Sequence, residues 1–130
     1  MDAQTFYRRV AERIGEGGPE AARKGTGAVL QTLRDRLTPR EADQVAAQLP
    51  VPLKAVWTAG ERLDREPVKL HRPEFLDRVR REAGLATARQ AEWLTVAVFS
   101  ALKGQLSEGE AEDVLTQLPK DLKELWIEAP

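Results

Sequence analysis

Apolar residues along the chain recur at steps of three and four, interrupted by glycine and proline, and the pattern lays out four helices. Phe6, Val10 and Ile14 make one stripe, with Arg8, Arg9, Glu12 and Arg13 turned outward. This predicts a helix over about residues 2–14, capped by Asp2 and stopped by Gly15, which can take positive φ. A longer helix over about 19–37 carries a narrow seam of Ala22, Thr26, Val29, Leu33 and Leu37. Thr38-Pro39-Arg40-Glu41 opens the third helix as a capping box. Its hydroxyl accepts from the N3 amide, and its glutamate is expected to reach back to the cap's own N–H. Ala42, Val45 and Leu49 form the buried face of that helix. Leu49-Pro50 ends it, because a residue before proline is pushed out of the α region. Leu53 and Trp57, four apart, predict a short fourth helix.

The whole pattern then comes round again. Phe6 to Trp57 aligns without a gap onto Phe75 to Trp126 at a constant offset of 69, and 19 of those 52 positions are identical, core positions prominent among them. A period of that length means two copies of one supersecondary unit. The second copy supplies Phe75, Val79, Ala83 and Gly84, then Ala91, Thr95, Val98, Leu102 and Leu106, and a second capping box, Ser107-Glu108-Gly109-Glu110. The fold class expected is all-α: two four-helix repeats, residues 1–58 and 73–130, packed as a bundle with an approximate two-fold relation. Residues 59–72 form a linker, broken by Gly60 and Pro67, with room for a short helical piece at Ala59 to Asp64. One copy, near 55 residues, would be marginal alone, whereas 130 residues suit a single compact domain. Gly25 and Gly27 of the first copy stand where the second has Leu94 and Val96, beside Trp93. On volume alone, Trp93 or Phe99 is expected to fill the glycine-flattened surface.

Composition removes several kinds of chemistry. With no cysteine, the chain has no disulfide, thiol nucleophile or thiolate metal site. The single histidine, His71, belongs to no His-x-x-x-Glu or Glu-x-x-His pairing and is expected to be an exposed linker residue. Glu108, Glu110, Glu112 and Asp113 lack the calcium-loop pattern, and carboxylates in a first turn suit the helix dipole without any metal. Gly15-Glu16-Gly17-Gly18-Pro19 precedes a helix but has neither the Gly-Lys-Ser/Thr element nor a strand before it, so it reads as a loop rather than a phosphate cradle. No nucleophile–base pair or dicarboxylate arrangement stands out, and the expectation is a protein that is not an enzyme and uses no cofactor or metal. No apolar run is long enough to span a membrane, and the first residues lack a signal-peptide pattern, so a soluble cytoplasmic protein is expected. The absence of asparagine beside abundant arginine and glutamate fits a thermophile, although glutamine is not depleted and arginine equally fits a GC-rich genome.

Charge narrows the choice of partner. The net charge of −1 gives no overall attraction to nucleic acid. Lys69, Arg72, Arg78, Arg80 and Arg81 form the one basic cluster, interleaved with Glu74, Asp77 and Glu82, and carry the alternative reading of nucleic-acid contact. The motif most closely shared by the copies is Gln-Leu-Pro-x-x-Leu-Lys-x-x-Trp, at Gln48 to Trp57 and Gln117 to Trp126. Leucine, proline and tryptophan there are explained by a helix break and a core anchor. Gln48, Lys54, Gln117 and Lys123 are polar beyond that need, so with Trp57 and Trp126 they are the candidate interaction residues, the glutamines alternatively satisfying backbone groups at the break.

The order Phe-x-x-x-Val, Gly, a long Ala/Leu helix, then Leu-[Ser/Thr]-x-x-Glu-Ala-x-x-Val-x-x-Gln-Leu-Pro-x-x-Leu-Lys-x-x-Trp, given twice, resembles the bacterial family catalogued as domain of unknown function 2267. The resemblance runs from Phe6 to Trp126. It implies a small, soluble, all-helical bacterial protein and carries over no catalytic residue. The function expected is a non-enzymatic interaction or scaffold module, binding protein (another chain or itself) through a groove between the copies. A small apolar ligand in the bundle core is a further alternative.

Overall fold

Eight helices and no strand make up the computed structural model, which describes residues 1–130. The first half supplies α1 (Ala3–Ile14), α2 (Gly18–Arg36), α3 (Pro39–Ala46) and α4 (Val51–Thr58). The second supplies α5 (Arg72–Ala83), α6 (Ala88–Gln105), α7 (Glu108–Gln117) and α8 (Lys120–Glu128). Local chemistry sets the boundaries. Asp2 Oδ1 accepts from the Thr5 amide at 2.7 Å, and Gly15 (φ 72°) and Gly84 (φ 69°) end α1 and α5 in the left-handed region. Thr87, Thr38 and Ser107 each accept the N3 amide of α6, α3 and α7.

The halves exchange contacts. α1 lies on α2 but also on α6 of the other half, and α5 lies on α6 but also on α2. The long helices α2 and α6 cross, α4 covers α2, α8 covers α6, and α3 meets α7. A single cluster of 30 buried residues, drawn from both halves, forms the core, so the two units share one interior instead of keeping two. Every seam residue of α2 and α6 predicted from spacing is buried, all but Thr26 and Thr95 as members of that cluster. Phe99 packs against Phe75 and Trp126, with ring centroids at 6.0 and 5.1 Å.

Two expectations about packing and the linker are corrected. Neither Trp93 nor Phe99 fills the glycine surface. Trp93 is 64% exposed and Phe99 is in the core. The residue facing Gly25 is its own counterpart, Leu94, close enough that a Cβ at Gly25 would sit 2.6 Å from Leu94 Cδ1 and 3.3 Å from its Cγ. Gly27 faces Val56 more loosely, at 3.7 Å. The volume complement is therefore real but local to the α2–α6 crossing. Gly25→Leu should destabilise the fold by about 1–3 kcal/mol through overpacking, outweighing the gain of about 1 kcal/mol from removing a helix-interior glycine. A rise in the urea unfolding midpoint of that variant would refute the close approach.

The linker contains no helix at Ala59 to Asp64, only turns. Side-chain bonding takes the place of helical bonding. Arg65, threaded back under α2, donates to the carbonyls of Leu37 (2.7 Å), Arg34 (2.7 Å) and Asp35 (3.2 Å), in the last turn of α2 and at its cap. The Val68 amide adds a bond to Asp35 O at 2.8 Å. His71 stays largely exposed, as expected, at the start of α5, with Nδ1 3.4 Å from Asp121 Oδ2.

Candidate functional site

The repeated glutamines occupy an unexpected place. Neither satisfies its own helix break. Gln48 Oε1 accepts from the Ser107 amide at 2.8 Å and its Nε2 donates to Ser107 Oγ at 3.2 Å. Gln117 does the same to Thr38, accepting from the amide at 3.0 Å and donating to Oγ1 at 3.3 Å. Each glutamine thus clamps the N-cap residue of the other half's third helix. The carboxamide matches this task because it presents an acceptor and a donor side by side. Gln105 Nε2 extends one clamp by donating to Gln48 O at 3.0 Å.

That arrangement displaces the expected second half of the capping boxes. Thr38 Oγ1 and Ser107 Oγ accept from Glu41 N and Glu110 N, both at 3.2 Å, as predicted. The cap amides, however, are already given to Gln117 and Gln48, so the two glutamates have no backbone donor to reach for. Their side chains turn into the α3–α7 contact, where Glu41 and Glu110 are 6% and 7% exposed. Desolvation, reinforced by the hydrogen bond and the like charge of Glu110, pushes the Glu41 carboxyl up to about 8, with Arg40 opposing the shift. Asp113 joins them: one ligand oxygen from each of the three lies within 4.8 Å of the others. On spacing alone, the helix dipole accounts for the acidic run that holds Glu110 and Asp113. Only the fold brings Glu41, 69 residues before Glu110, opposite them.

The other interaction candidates divide. Trp57 is fully buried, its Nε1 donating to Ala42 O at 3.0 Å, and Trp126 lies in the aromatic core. Both are core anchors that no partner reaches. Lys54 is exposed on α4 and Lys123 half-buried on α8. The structure brings none of these four together with the glutamine clamps as one surface.

The basic cluster is largely neutralised within the fold. Arg78 reaches Asp35 at 2.6 Å and Glu82 at 3.6 Å, while Arg80 and Arg81 share Asp77 at 3.1 and 3.0 Å. Those bonds hold the Asp77 carboxyl below the usual range. Arg72 pairs with Glu92 and Glu124. Lys69 alone projects without an ion pair from an exposed position. Arg72 and Arg78 act as struts from α5 to α2, α6 and α8, whereas Arg80 and Arg81 pair only along α5 itself.

A groove opens at the opposite end of the long helices, between the ends of α1 and α5 and the starts of α2 and α6. It encloses about 580 Å³, and Ile14, Ala21, Leu85, Trp93 and Leu94 give it apolar walls, with Glu16 and Arg89 on its rim. Trp93 Nε1 donates to Arg13 O at 3.0 Å, satisfying an orphan carbonyl of the last turn of α1 and fixing the indole with most of its surface open. A second depression, about 1040 Å³ between α1, α6, α7 and α8, is lined by interleaved charges of both signs (Arg9, Arg13 and Lys103 against Glu12, Glu108 and Glu112).

No helix is long and apolar enough to cross a membrane. No curated protein matches the chain. The family model of the uncharacterized conserved proteins DUF2267 matches residues 3–125, nearly the full length, and the chain belongs to that family.

Proposed function

Taking membership of the DUF2267 family as given, we propose that this protein is a non-enzymatic, cytoplasmic interaction module that seats an apolar segment of a partner protein in the groove between its halves. The observation carrying this reading is Trp93: an indole pinned by its own N–H, 64% exposed, on the wall of an apolar groove built by both halves. An exposed large aromatic held in one orientation loses little entropy on binding, which is why tryptophan dominates contact energetics at protein interfaces. The groove is flanked by one anion and one cation, Glu16 and Arg89, and suits an amphipathic helix whose apolar face enters it while its polar edges meet the rim. The basic-cluster alternative finds no comparable support, since four of its five cations already pair with carboxylates of the same chain.

A photo-crosslinking residue placed at Arg89, with a control at exposed Glu124, tests the reading in cells. The Arg89 position should give one defined protein adduct that Glu124 does not, and Trp93→Ser should lower its yield at least tenfold. That variant should keep its fold to within about 1 kcal/mol, the scale of one lost hydrogen bond. Equal capture from both positions, adducts only to a second copy of the chain, or a small-molecule adduct in place of protein would each overturn the proposal.

A further inference from the structure

The contact between α3 and α7 holds a feature that packing does not explain. Glu41 and Glu110 are more than nine-tenths buried, and the Oε2 atom of each is buried without a hydrogen-bond partner. Helix capping would ordinarily consume these carboxylates, but Gln48 and Gln117 have taken the amides they would bind. Two carboxyl groups face each other out of water, and ionising both there is unfavourable unless a proton or a cation joins them. The charged groups around Glu41 are Glu110 and Asp113, which repel it, and Arg40, which attracts it. One cation against three carboxylates leaves the set electron-rich.

We propose that Glu41, Glu110 and Asp113 form a binding site for one hard divalent cation, of the calcium, magnesium or manganese type, which ties α3 of the first half to α7 of the second. Three features point there together. The ligand atoms lie within 4.8 Å of one another, a spread that one ion can draw together. The donors are all carboxylate oxygens, with no imidazole or thiolate, which selects hard cations over zinc or copper. The unpartnered Oε2 atoms of Glu41 and Glu110 supply the buried half of the site, while Asp113 is exposed and offers the entry path and the side at which water completes the shell. The ion would reinforce the joint that the glutamine clamps already make between the same two helices.

The test uses the full chain, freed of metal with EDTA, dialysed, and titrated at pH 8 separately with calcium chloride, magnesium chloride and manganese chloride. At least one ion should raise the Tm by several degrees with saturation at one ion per chain, and manganese binding should be visible directly by loss of the free-ion electron paramagnetic resonance signal. Glu110→Gln and Glu41→Gln keep the shape of the side chain and remove the repulsion, so both variants should fold and lose the response. Asp113→Asn, at the open side, should weaken binding at least tenfold. At pH 5 protons should compete and the affinity should fall. No saturable manganese binding at millimolar ion, binding unchanged in Glu41→Gln, or a chain stabilised by acid alone and never by metal would each overturn the site. The last result would assign the pair a shared proton instead. None of these readouts depends on the Trp93 groove, so the two proposals stand or fall separately.

Discussion

Replacing Arg34 with alanine is expected to cost the fold about 3–5 kcal/mol, the range found when one member of a buried charged network is deleted and its partners are left unpaired. Arg34 is 4% exposed, on the last turn of α2. Its Nη1 donates to Trp57 O at 2.9 Å and Ala59 O at 2.6 Å, closing the C-terminus of α4, and its Nε and Nη2 bind Asp35 Oδ1 at 2.9 and 2.8 Å. Asp35 in turn receives Arg78 from α5. Burial alone would raise the Asp35 carboxyl, but the hydrogen bonds from Arg78 and Arg34 more than offset it and hold it below its usual range. Alanine at 34 would strand two carbonyls, unbalance Asp35 and loosen the seat of Trp57. The second half contains the control. At the corresponding position Lys103 donates to Trp126 O at 2.8 Å and Ala129 O at 2.7 Å without any aspartate beside it, because residue 104 is glycine. Arg34→Lys should therefore keep the cap on α4, lose only part of the bond to Asp35, and cost about 1 kcal/mol. Urea unfolding of both variants distinguishes the cases. Equal, large losses would mean that the aspartate pairing matters more than the cap, and a small loss for alanine would refute the network altogether.

That cation is a useful measure of what the sequence discloses. The seam of α2, the caps at Asp2, Thr38 and Ser107 and the break at Leu49-Pro50 are local: each depends on residues within a turn or two, and spacing alone reveals them. The offset of 69 also shows that the halves correspond. What it hides is that corresponding residues need not do the same work inside their own half. Gln48 and Gln117 are legible as a repeated polar pair, yet their partners are Ser107 and Thr38 of the opposite half, reached only because α3 lies against α7. The capping boxes mislead for the same reason. Thr38 and Glu41 satisfy the local pattern, but a glutamine from elsewhere competes for the amide, and no local rule registers that competition. Arg34 and Lys103 are both cations at equivalent positions, a signal available in the alignment and overlooked because arginine on a helix reads as surface. Trp93 is the converse case: an aromatic beside a core seam reads as interior, whereas its N–H is drawn outward by the unsatisfied Arg13 carbonyl.

The pH dependence of stability should run opposite to that of most small domains over the neutral range, and Glu41 is the cause. Its folded pKa is raised from 4.5 to about 8, chiefly by burial and then by Glu110, so the folded chain holds a proton that the unfolded chain releases. A raised carboxyl pKa stabilises the fold fully below pH 4.5, and that contribution disappears as pH rises through about 8. Metal-free protein should accordingly lose stability between pH 5 and pH 8, by no more than about 4 kcal/mol, since each pH unit carries at most about 1.4 kcal/mol for one proton. At the acid end the sign reverses. Asp35 is held below its ordinary value by arginine partners once burial is overcome, and it gives up its contribution as pH falls below about 4. Stability should therefore peak near pH 5. In EDTA, the urea midpoint should fall from pH 5 to pH 8 for the native chain, and Glu41→Gln should flatten that slope and exceed the native chain at pH 8. A midpoint that is level or rising across that range in the native chain would show that Glu41 ionises at its ordinary pKa and that water reaches the α3–α7 contact. With a saturating divalent cation the same measurement should reverse its trend, because the ion takes the place of the proton more completely as the carboxylates ionise.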